Sequence, residues 1–541
     1  MELRIYDKPR LRTSKLLVTH NHFYMDRMNL LILLILSNIF ICCGGKDIKQ
    51  VVIVNNSPLN SGFESGLEGW EVSGKVNLEE GSQAYKGKYC SKLEGPKAEI
   101  FQRVSVNPLS IVQLNGYAKT TQAEIQGCSF IRFYDGQNNL LIEYLSKPFS
   151  SGSYTYTGCY TLAPAKSKYL TFGIMKETDG GFIYTDEISF KSNGGEDGVT
   201  KTPIVNIDQY LQPFWKSDTV YNETVLLLSE NGVSASGKLL FNPSAIISVK
   251  SFDLTAGYYE GADYTVNGNI ITKISSSSIP YKTDSFFPKN DLAWYNLQSQ
   301  WVVVTYVHKD KWNGSVPSFK GQEMPNTLQK LTSHSPLKIV ATGMSITRGM
   351  DMSGYDKVPP YMPSYVDLLV YQLKKAYGYN DIKLYNAALP GAMVDWAAKY
   401  TDEYINVLNP DLVIIDFGMN DFWKFSPEMF NFYVQTIITK CKAHNNNIEF
   451  LLISNMRFDP DYIKPDNKEK LFYETNFLGY NTVLQSLCSK GIINLDMSTL
   501  SSEIYQRKKA KDCIANPLHP NDYMARWYAQ GMAALLIKPQ N

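Results

Sequence analysis

Alternating hydrophobic and polar positions dominate the chain from about residue 55 onward. Segments such as AEIFQRVSV, IVQLNGYAKT and SFIRFYDG alternate with a period of two and are separated by Gly, Asn and Ser. Such patterning predicts antiparallel strands and a β-sandwich over residues 55–192. Beyond the polar, Gly-rich linker SNGGEDGVTKTP, the segments ETVLLLSE, AIISVKSFDLT and WVVVTYVHKD predict a second small β-sandwich over residues 204–320.

The pattern changes at residue 336, where short apolar runs begin to alternate with helical periodicity. LKIVATG, IKLYNAAL, DLVIIDFG, IEFLLIS and IINLDMS read as buried strands. Between the first two, PSYVDLLVYQLKKAYG places Val366, Leu369, Val370 and Leu373 on one helical face, and Gly378 ends the helix. The alternation predicts a three-layer α/β domain over residues 336–541, with a mostly parallel sheet and ligands at the carboxyl ends of its strands.

An apolar run, LLILLILSNIFICC, lies near the N-terminus, after Arg27 and before GGKD. It is too short to span a bilayer comfortably and is typical of a signal segment. Residues 1–43 resemble a bacterial lipoprotein signal, which implies lipid on Cys43, or alternatively on Cys42, after export to the cell envelope. Met25 or Met28 is the alternative start, and a plain secretory signal or membrane anchor is the alternative interpretation.

Composition agrees with a globular, multidomain protein: 541 residues, 44% hydrophobic and 19% charged. The 36 Tyr, 25 Phe and 8 Trp favour β-structure and surfaces that stack on flat ligands such as sugars. The net charge of +1, with no basic block in the body of the chain, argues against nucleic acid as a partner. Beyond the signal, the cysteines fall three to a region, which predicts buried apolar residues rather than a disulfide framework.

Four candidate catalytic side chains or backbone groups fall at the predicted carboxyl edge of the parallel sheet. Ser345 follows the first strand, Gly391 the second and Asn420 the third, while His519 lies in the loop before the last helix. Individually, such residues are most often helix caps, turn formers and structural histidines. Together, in this order and at one sheet edge, they supply a nucleophile, oxyanion donors and a base.

This region resembles the SGNH hydrolases, also called GDSL-like esterases, over about the last 200 residues. The four sequence blocks of that family fall on Gly343 and Ser345, on Asn386 and Gly391, on Gly418, Asn420 and Asp421, and on His519, Pro520 and Asn521. The resemblance implies Ser345 as nucleophile and His519 as base. It also implies an oxyanion hole made by the backbone N–H groups of Ser345 and Gly391 and by the Asn420 amide. It implies no metal and no cofactor, and the remaining histidines show no HExxH-like spacing.

The sequence departs from the family pattern where the acid is expected. Three residues before His519 the usual Asp is Asn516, and the usual Asp before the nucleophile is Met344. The His519 ring could be oriented by the carbonyl oxygen of Asn516, by a backbone carbonyl, or by Asp512 if the loop folds back. We expect a Ser–His dyad, oriented by a neutral oxygen and without a carboxylate contact.

The combined pattern predicts an exported esterase that removes O-acyl groups, above all O-acetyl groups, from polysaccharide or oligosaccharide. The first predicted sandwich resembles jelly-roll carbohydrate-binding modules, and it would act either as a glycan-binding module or as a spacer. A lipid or general acyl-ester hydrolase is the alternative enzyme, and a catalytically inactive glycan-binding surface protein is the alternative from another class.

Overall fold

The computed structural model describes residues 58–193, 201–287, 296–297, 300–460 and 471–539. The predicted signal segment, residues 1–43, lies outside the described residues. The chain is multidomain, with antiparallel β-rich regions followed by an α/β region that contains a parallel sheet. The prediction of an antiparallel N-terminal part before a parallel C-terminal sheet is therefore confirmed.

The first β-rich region forms one eight-stranded sheet with the order β5-β4-β7-β2-β8-β3-β6, and β1 pairs with β2. In β3, hydrophobic side chains alternate with half-buried polar ones, as the period of two predicts. A separate apolar core lies within this region, where Phe172 stacks on Phe190 with ring centroids 4.5 Å apart. The strands are β1 (Glu71–Glu80), β2 (Tyr89–Ser105), β3 (Ile111–Thr120), β4 (Gly127–Tyr134), β5 (Leu140–Leu145), β6 (Thr155–Leu162), β7 (Tyr169–Lys176) and β8 (Phe182–Asn193).

The second β-rich region contains two smaller sheets, with the orders β14-β15-β11-β10-β16 and β13-β12-β17-β9. Most pairs are antiparallel, but β10 and β16 run parallel. The predicted division of the antiparallel part into two sandwiches stays a prediction. The elements are α1 (Ile207–Tyr210), β9 (Thr219–Val225), β10 (Leu228–Ser229), β11 (Ser236–Lys238), β12 (Pro243–Ser251), β13 (Gly257–Tyr258), β14 (Tyr264–Asn267), β15 (Ile270–Lys273), β16 (Lys282–Thr283), a 3₁₀ turn (Asp284–Phe286) and β17 (Val302–His308).

The C-terminal region is built on a five-stranded parallel sheet with the order β19-β18-β20-β21-β22. The five predicted strands are all present. They are β18 (Leu337–Gly343), β19 (Ile382–Asn386), β20 (Leu412–Asp416), β21 (Glu449–Ser454) and β22 (Ile492–Asp496). Because the strands are parallel, their carboxyl ends lie along one edge of the sheet.

Helices connect these strands, and the predicted helix after β18 is present. It begins after Ser364, whose hydroxyl accepts a hydrogen bond from the N–H of Asp367, and it ends at Gly378 with a φ of 70°. The helices are α2 (Pro325–Thr332), α3 (Ser345–Arg348), α4 (Tyr365–Tyr377), α5 (Val394–Lys399), α6 (Thr401–Tyr404), α7 (Pro427–His444), α8 (Leu478–Ser486), α9 (Met497–Tyr505) and α10 (Asp522–Leu536), with 3₁₀ turns at Asn406–Leu408 and Ala510–Asp512 and a π-helical turn at Tyr473–Phe477.

One hydrophobic core joins the second β-rich region to the parallel-sheet region. Phe214 stacks on Trp527 of α10, with ring centroids 4.6 Å apart. Arg526 donates hydrogen bonds to the carbonyl oxygens of Tyr221, over 2.7 Å, and Asn222, over 2.8 Å. The guanidinium is buried, so these bonds satisfy a charge that would otherwise be costly. The second β-rich region is thus packed against the parallel-sheet region and supports it.

The six cysteines in the described part of the chain are all free, and all but Cys488 are buried. This confirms the prediction that they serve mainly as apolar residues. Among the described helices, none is long and apolar enough to cross a membrane.

Candidate active site

Ser345 lies where the first strand of the parallel sheet passes into a short helix. β18 ends at Gly343, and Ser345 is the first residue of α3. A Cβ at Gly343 would come within 2.6 Å of the carbonyl oxygen of Asp416 on the neighbouring strand. Only glycine therefore permits this close approach of the two strand ends. The serine hydroxyl is placed at the carboxyl edge of the sheet and is buried, with 7% of the residue exposed.

His519 contacts Ser345 directly. The Nε2 atom of His519 lies 2.8 Å from the Oγ atom of Ser345. The loop that carries the histidine closes on itself, because Ala515 donates its N–H to the carbonyl oxygen of His519 over 2.9 Å. The two residues that the sequence proposed as nucleophile and base are thus within hydrogen-bonding distance, the arrangement that a nucleophile and its base require.

A carboxylate lies behind the histidine, contrary to the expectation of a dyad. The Oδ2 atom of Asp351 lies 2.5 Å from Nδ1 of His519. Asp351 follows the helix that begins at Ser345, and its φ of 63° lies in the left-handed region, which Asp tolerates better than most residues. The prediction of ring orientation by a neutral oxygen, with no carboxylate contact, is therefore wrong.

Asn516 holds the carboxylate rather than replacing it. Its side-chain Nδ2 donates to Oδ2 of Asp351 over 2.6 Å. Its Oδ1 accepts from the backbone N–H groups of Leu518 and His519, each over 3.0 Å. The side-chain oxygen of Asn516 is therefore engaged by backbone N–H groups, and it does not make the predicted contact with the His519 ring.

The geometry defines which nitrogen of His519 carries the proton. Asn516 Nδ2 also lies 3.1 Å from His519 Nδ1, but an amide nitrogen is only a donor. Nδ1 of His519 has an acceptor in the Asp351 carboxylate, so Nδ1 carries the hydrogen. Asn516 Nδ2 and His519 Nδ1 are therefore two donors to the same oxygen, Oδ2 of Asp351. Nε2 is then unprotonated and accepts the hydrogen of the Ser345 hydroxyl. This is the tautomer that a general base needs.

Asp512, the other predicted orienting residue, lies elsewhere. Its Oδ1 accepts the backbone N–H of Leu226 over 2.7 Å. Its Oδ2 lies 4.0 Å from Nζ of Lys508, which also pairs with Glu223 of the second β-rich region. Complete burial raises the pKa of Asp512 to about 6. Asp512 therefore connects the loop before His519 to β9, and it is not the acid behind the histidine.

The residues after His519 hold the surrounding loops in place. Asn521 caps α10 and donates a hydrogen bond to the carbonyl oxygen of Asp512 over 2.9 Å. The Asp522 carboxylate accepts from the N–H of Ser353, over 2.9 Å, and from its hydroxyl, over 2.6 Å. Ser353 lies two residues after Asp351. The short stretch from His519 to Asp522 thus presents the His519 ring and also anchors the loop that carries Asp351.

The predicted oxyanion residues lie in two loops that are tied together at the sheet edge. Gly391 follows β19 with a φ of 80°, a backbone conformation that favours glycine. Asn420 donates one hydrogen of its amide to the carbonyl oxygen of Ala392 over 3.0 Å. The loop is also tied to β18, since Leu389 donates its N–H to the carbonyl oxygen of Gly343 over 3.1 Å. The structure thus gathers the loops of Gly343, Gly391 and Asn420 at one edge.

The Asn386 side chain bonds to backbone groups and not to His519 or Ser345. Its Nδ2 donates to the carbonyl oxygen of Thr347 in α3 over 3.0 Å, and its Oδ1 accepts the N–H of Ala388 over 3.2 Å. The first bond connects α3 to β19, and the second holds the turn that follows β19.

Two further buried carboxylates shape the site. Asp421 accepts the N–H of Val394 over 2.7 Å and that of Gly418 over 2.8 Å, and burial raises its pKa to about 7. Asp416, at the end of β20, accepts the Thr347 hydroxyl over 2.7 Å, and burial raises its pKa to about 6. Asp416 and Asp351 were not among the residues chosen from the sequence. Asp351 has only its position, six residues after Ser345, to mark it.

Comparison with known proteins supports the assignment of the C-terminal region. Residues 341–527 match the model of the GDSL-like Lipase/Acylhydrolase family. No curated protein matches the chain. A two-domain esterase (CEX) active on acetylated mannans is 21% identical, with a TM-score of 0.32, over 41% of this chain and 54% of that chain.

Two other solved structures are similar over parts of the chain. A putative GDSL-like lipase from Parabacteroides merdae ATCC 43184 is 18% identical, with a TM-score of 0.31, over 38% of this chain and 97% of that chain. The CBM22-1 xylan-binding domain from Paenibacillus barcinonensis is 15% identical, with a TM-score of 0.23, over 27% of this chain and 99% of that chain. The family match places a GDSL-like lipase/acylhydrolase domain in the C-terminal part of the chain, at residues 341–527.

Proposed function

We propose that the protein is a serine esterase that removes O-acyl groups, above all O-acetyl groups, from polysaccharide or oligosaccharide. The observation that carries the proposal is the line of contacts from Ser345 Oγ through the His519 ring to Asp351. A hydroxyl, an unprotonated imidazole nitrogen and a carboxylate in this order form the constellation that activates a serine for acyl transfer. A retired site would have no reason to keep all three in contact, which argues against an inactive glycan-binding protein.

The proposed reaction begins with proton transfer from Ser345 Oγ to His519 Nε2 as Oγ attacks the ester carbonyl carbon. The backbone N–H groups of Ser345 and Gly391 and the second amide hydrogen of Asn420 would stabilise the oxyanion. His519 then returns the proton to the departing sugar oxygen as the ester C–O bond breaks. A water molecule, deprotonated by His519, hydrolyses the acyl-serine and regenerates the enzyme. Throughout, the Asp351 carboxylate stabilises the imidazolium.

The first β-rich region is the reason for proposing a carbohydrate substrate. The first β-rich region, which we take to be a jelly-roll glycan-binding sandwich, exposes several tyrosine rings, among them Tyr156 and Tyr160. Such rings suit the flat faces of sugars. A lipid or general acyl-ester hydrolase with the same serine chemistry remains the alternative enzyme.

Acetate release from acetylated xylan, mannan and pectin, compared with hydrolysis of aryl acetates and long-chain aryl esters, tests the proposal. We expect turnover of at least one acetylated polysaccharide and little of the long-chain esters, with Ser345→Ala as the control for background hydrolysis. Preference for long-chain esters would identify a lipid hydrolase. Absence of all ester hydrolysis in a folded protein would contradict the esterase assignment.

We also propose that the mature protein is exported and tethered to a membrane by lipid on Cys43. The support is the apolar run that ends in two cysteines, residues 30–43 of the sequence. Replacing Cys42 and Cys43 together by Ser should move the protein from the membrane fraction to the soluble fraction of a bacterial host. Unchanged membrane partition of that variant would mean that another segment holds the protein.

A further inference from the structure

The outward face of β3 and β6 carries flat rings and amides side by side. In β6, Tyr156 and Tyr160 are 49% and 40% exposed, while the intervening odd-numbered residues point inward. In the sheet register Tyr160 lies opposite Gln113, and Tyr156 lies opposite Tyr117. Four residues of extended strand separate the two exposed rings by about 13 Å.

Tyr85, Tyr117 and Asn115 belong to the same outward face. Tyr85 stacks on Tyr117, with ring centroids 4.0 Å apart, and Tyr117 meets Tyr156 edge-on at 6.0 Å. Asn115 lies between the two ends, where its Oδ1 accepts from the Tyr156 hydroxyl and, over 3.3 Å, from the Gln113 amide. We call the set formed by Tyr85, Tyr117, Tyr156, Tyr160, Gln113 and Asn115 the tyrosine strip.

The Tyr160 end of the tyrosine strip adjoins the catalytic region. Arg348, the last residue of the helix that begins at Ser345, donates from Nη2 to the carbonyl oxygen of Leu109 over 2.9 Å. Leu109 lies just before β3. The carbonyl oxygen of Leu162, two residues after Tyr160, accepts the hydroxyl of Tyr404 over 2.5 Å. These contacts fix the end of the strip beside the nucleophile's helix.

Tyr355 provides a ring on the catalytic side of this junction. It lies four residues after Asp351 and is 39% exposed. Partial burial of its hydroxyl raises the pKa of Tyr355, Arg348 opposes that rise, and the charges of Asp356 and Asp351 add to it. Burial and the neighbouring Tyr355 raise the pKa of Tyr160, and Arg348 again opposes the rise. Arg348, which bonds to Leu109 at the end of the strip, therefore acts on the hydroxyls of both rings, and Tyr355 follows Asp351 by four residues along the same segment.

From this continuity we infer that the tyrosine strip and Tyr355 form one sugar-binding subsite, which holds the glycan chain whose ester lies at Ser345. The inference rests on the proposed function and deepens it, because it makes the first β-rich region part of the active site. A sugar presents an apolar face that packs on a tyrosine ring and hydroxyls that bond to amides such as Gln113 and Asn115. The occupant is therefore an oligosaccharide of several units rather than a single acylated sugar or a fatty acyl chain.

The test measures oligosaccharide binding and turnover in the full chain. In an inactive Ser345→Ala background, Tyr160→Ala should weaken binding of a xylo- or manno-oligosaccharide by about tenfold or more, and Tyr160→Trp should restore it. In the active enzyme, Tyr160→Ala and Tyr355→Ala should each lower the ratio of kcat/KM on acetylated oligosaccharide to kcat/KM on aryl acetate by a similar factor. Tyr259→Ala is the matched control, since Tyr259 is an exposed tyrosine outside the strip.

The possible failures are distinguishable. If oligosaccharides bind and are deacetylated equally well with and without the Tyr160 ring, the subsite is wrong while the esterase function stands. If the enzyme cleaves aryl acetates but neither binds nor deacetylates any oligosaccharide, both the proposed carbohydrate substrate and the proposed subsite are wrong. Equal loss of oligosaccharide binding in Tyr259→Ala would also overturn the subsite, because the strip would then have no special role.

Discussion

Asn516 donates its side-chain amide to the carboxylate of Asp351 over 2.6 Å, at the oxygen that also faces Nδ1 of His519. The position three residues before the histidine, where an acid is expected, therefore holds a donor to an acid supplied from another loop. An amide at position 516 fits this role because it can donate to a carboxylate, whereas a second carboxylate there would repel the first. The serine, histidine and carboxylate are all present, but the carboxylate lies six residues after Ser345 instead of three residues before His519.

Replacing Asp351 should cost far more than replacing either residue suggested by sequence. In Asp351→Asn the amide can hold the wrong tautomer of His519 and supplies no charge to the imidazolium, so kcat should fall by about a thousandfold to ten-thousandfold. Asn516→Ala removes one donor to Asp351 and should cost less than about a hundredfold. Steady-state kinetics on an aryl acetate measure both.

Asp512→Asn is the matched control for that comparison. Asp512 is a buried carboxylate near His519 in sequence, but its contacts run to Leu226 and Lys508. We expect lower thermal stability with much of kcat retained in the folded fraction. A loss of kcat in folded Asp512→Asn as large as that in Asp351→Asn would remove Asp351 from its assigned role.

Exchanging the two side chains tests the geometry more sharply. Asn516 Nδ2 lies 3.1 Å from Nδ1 of His519, so an oxygen in its place could accept the ring hydrogen. Asn516→Asp alone should lower activity, because two carboxylates would share one site and one would take up a proton. The double variant Asp351→Asn/Asn516→Asp should recover at least about tenfold in kcat over Asp351→Asn alone. Additive losses in the double variant would mean that position 516 cannot carry the acid in this loop.

Ser345 and His519 should act as a unit. Ser345→Ala and His519→Ala should each lower kcat by at least about a thousandfold, and the double variant should be little worse than either single variant. The physical reason is that the base has nothing to deprotonate without the serine, and the serine is a weak nucleophile without the base. Burst kinetics with an aryl ester check the wild type for an acyl-enzyme, and near wild-type turnover by Ser345→Ala would exclude Ser345 as nucleophile.

Much of the fold could be predicted because its signals are local. The five parallel strands are short apolar runs, and α4 carries its own cap and stop at Ser364 and Gly378. The contacts of Ser345 with His519 were also predictable, since strand order brings strand ends together at one edge. The shared core around Phe214 and Trp527 was not, because patterning tells which residues are buried but not which partner buries them.

The acid could not be predicted for a related reason. Asp351 lies in an irregular loop, with a left-handed φ of 63° and an anchor to Asp522 through Ser353. No period or spacing in the sequence encodes that anchor. The spacing before His519 therefore points to Asn516 and Asp512, whereas the carboxylate that contacts the ring lies 168 positions earlier in the chain.

Asp421 should give the domain a pH-dependent stability that can be isolated by one substitution. Its carboxyl is fully buried, and burial raises its pKa from 3.8 to about 7. Between these values the folded protein keeps a proton that the unfolded chain has lost, so this group's contribution to stability is present below about pH 4 and is lost as the pH rises through about 7.

Asp421→Asn cannot titrate and leaves one of the N–H groups of Val394 and Gly418 without its acceptor. The variant should therefore be less stable than wild type at about pH 4, by roughly 1–3 kcal/mol, and the gap should narrow as the pH approaches about 8. Thermal unfolding at a series of pH values measures the gap, with Asp381→Asn, an exposed aspartate of the same region, as the control for lost charge. A gap that stays constant with pH would mean that Asp421 is ionised in the folded protein throughout, held in that state by its two backbone donors.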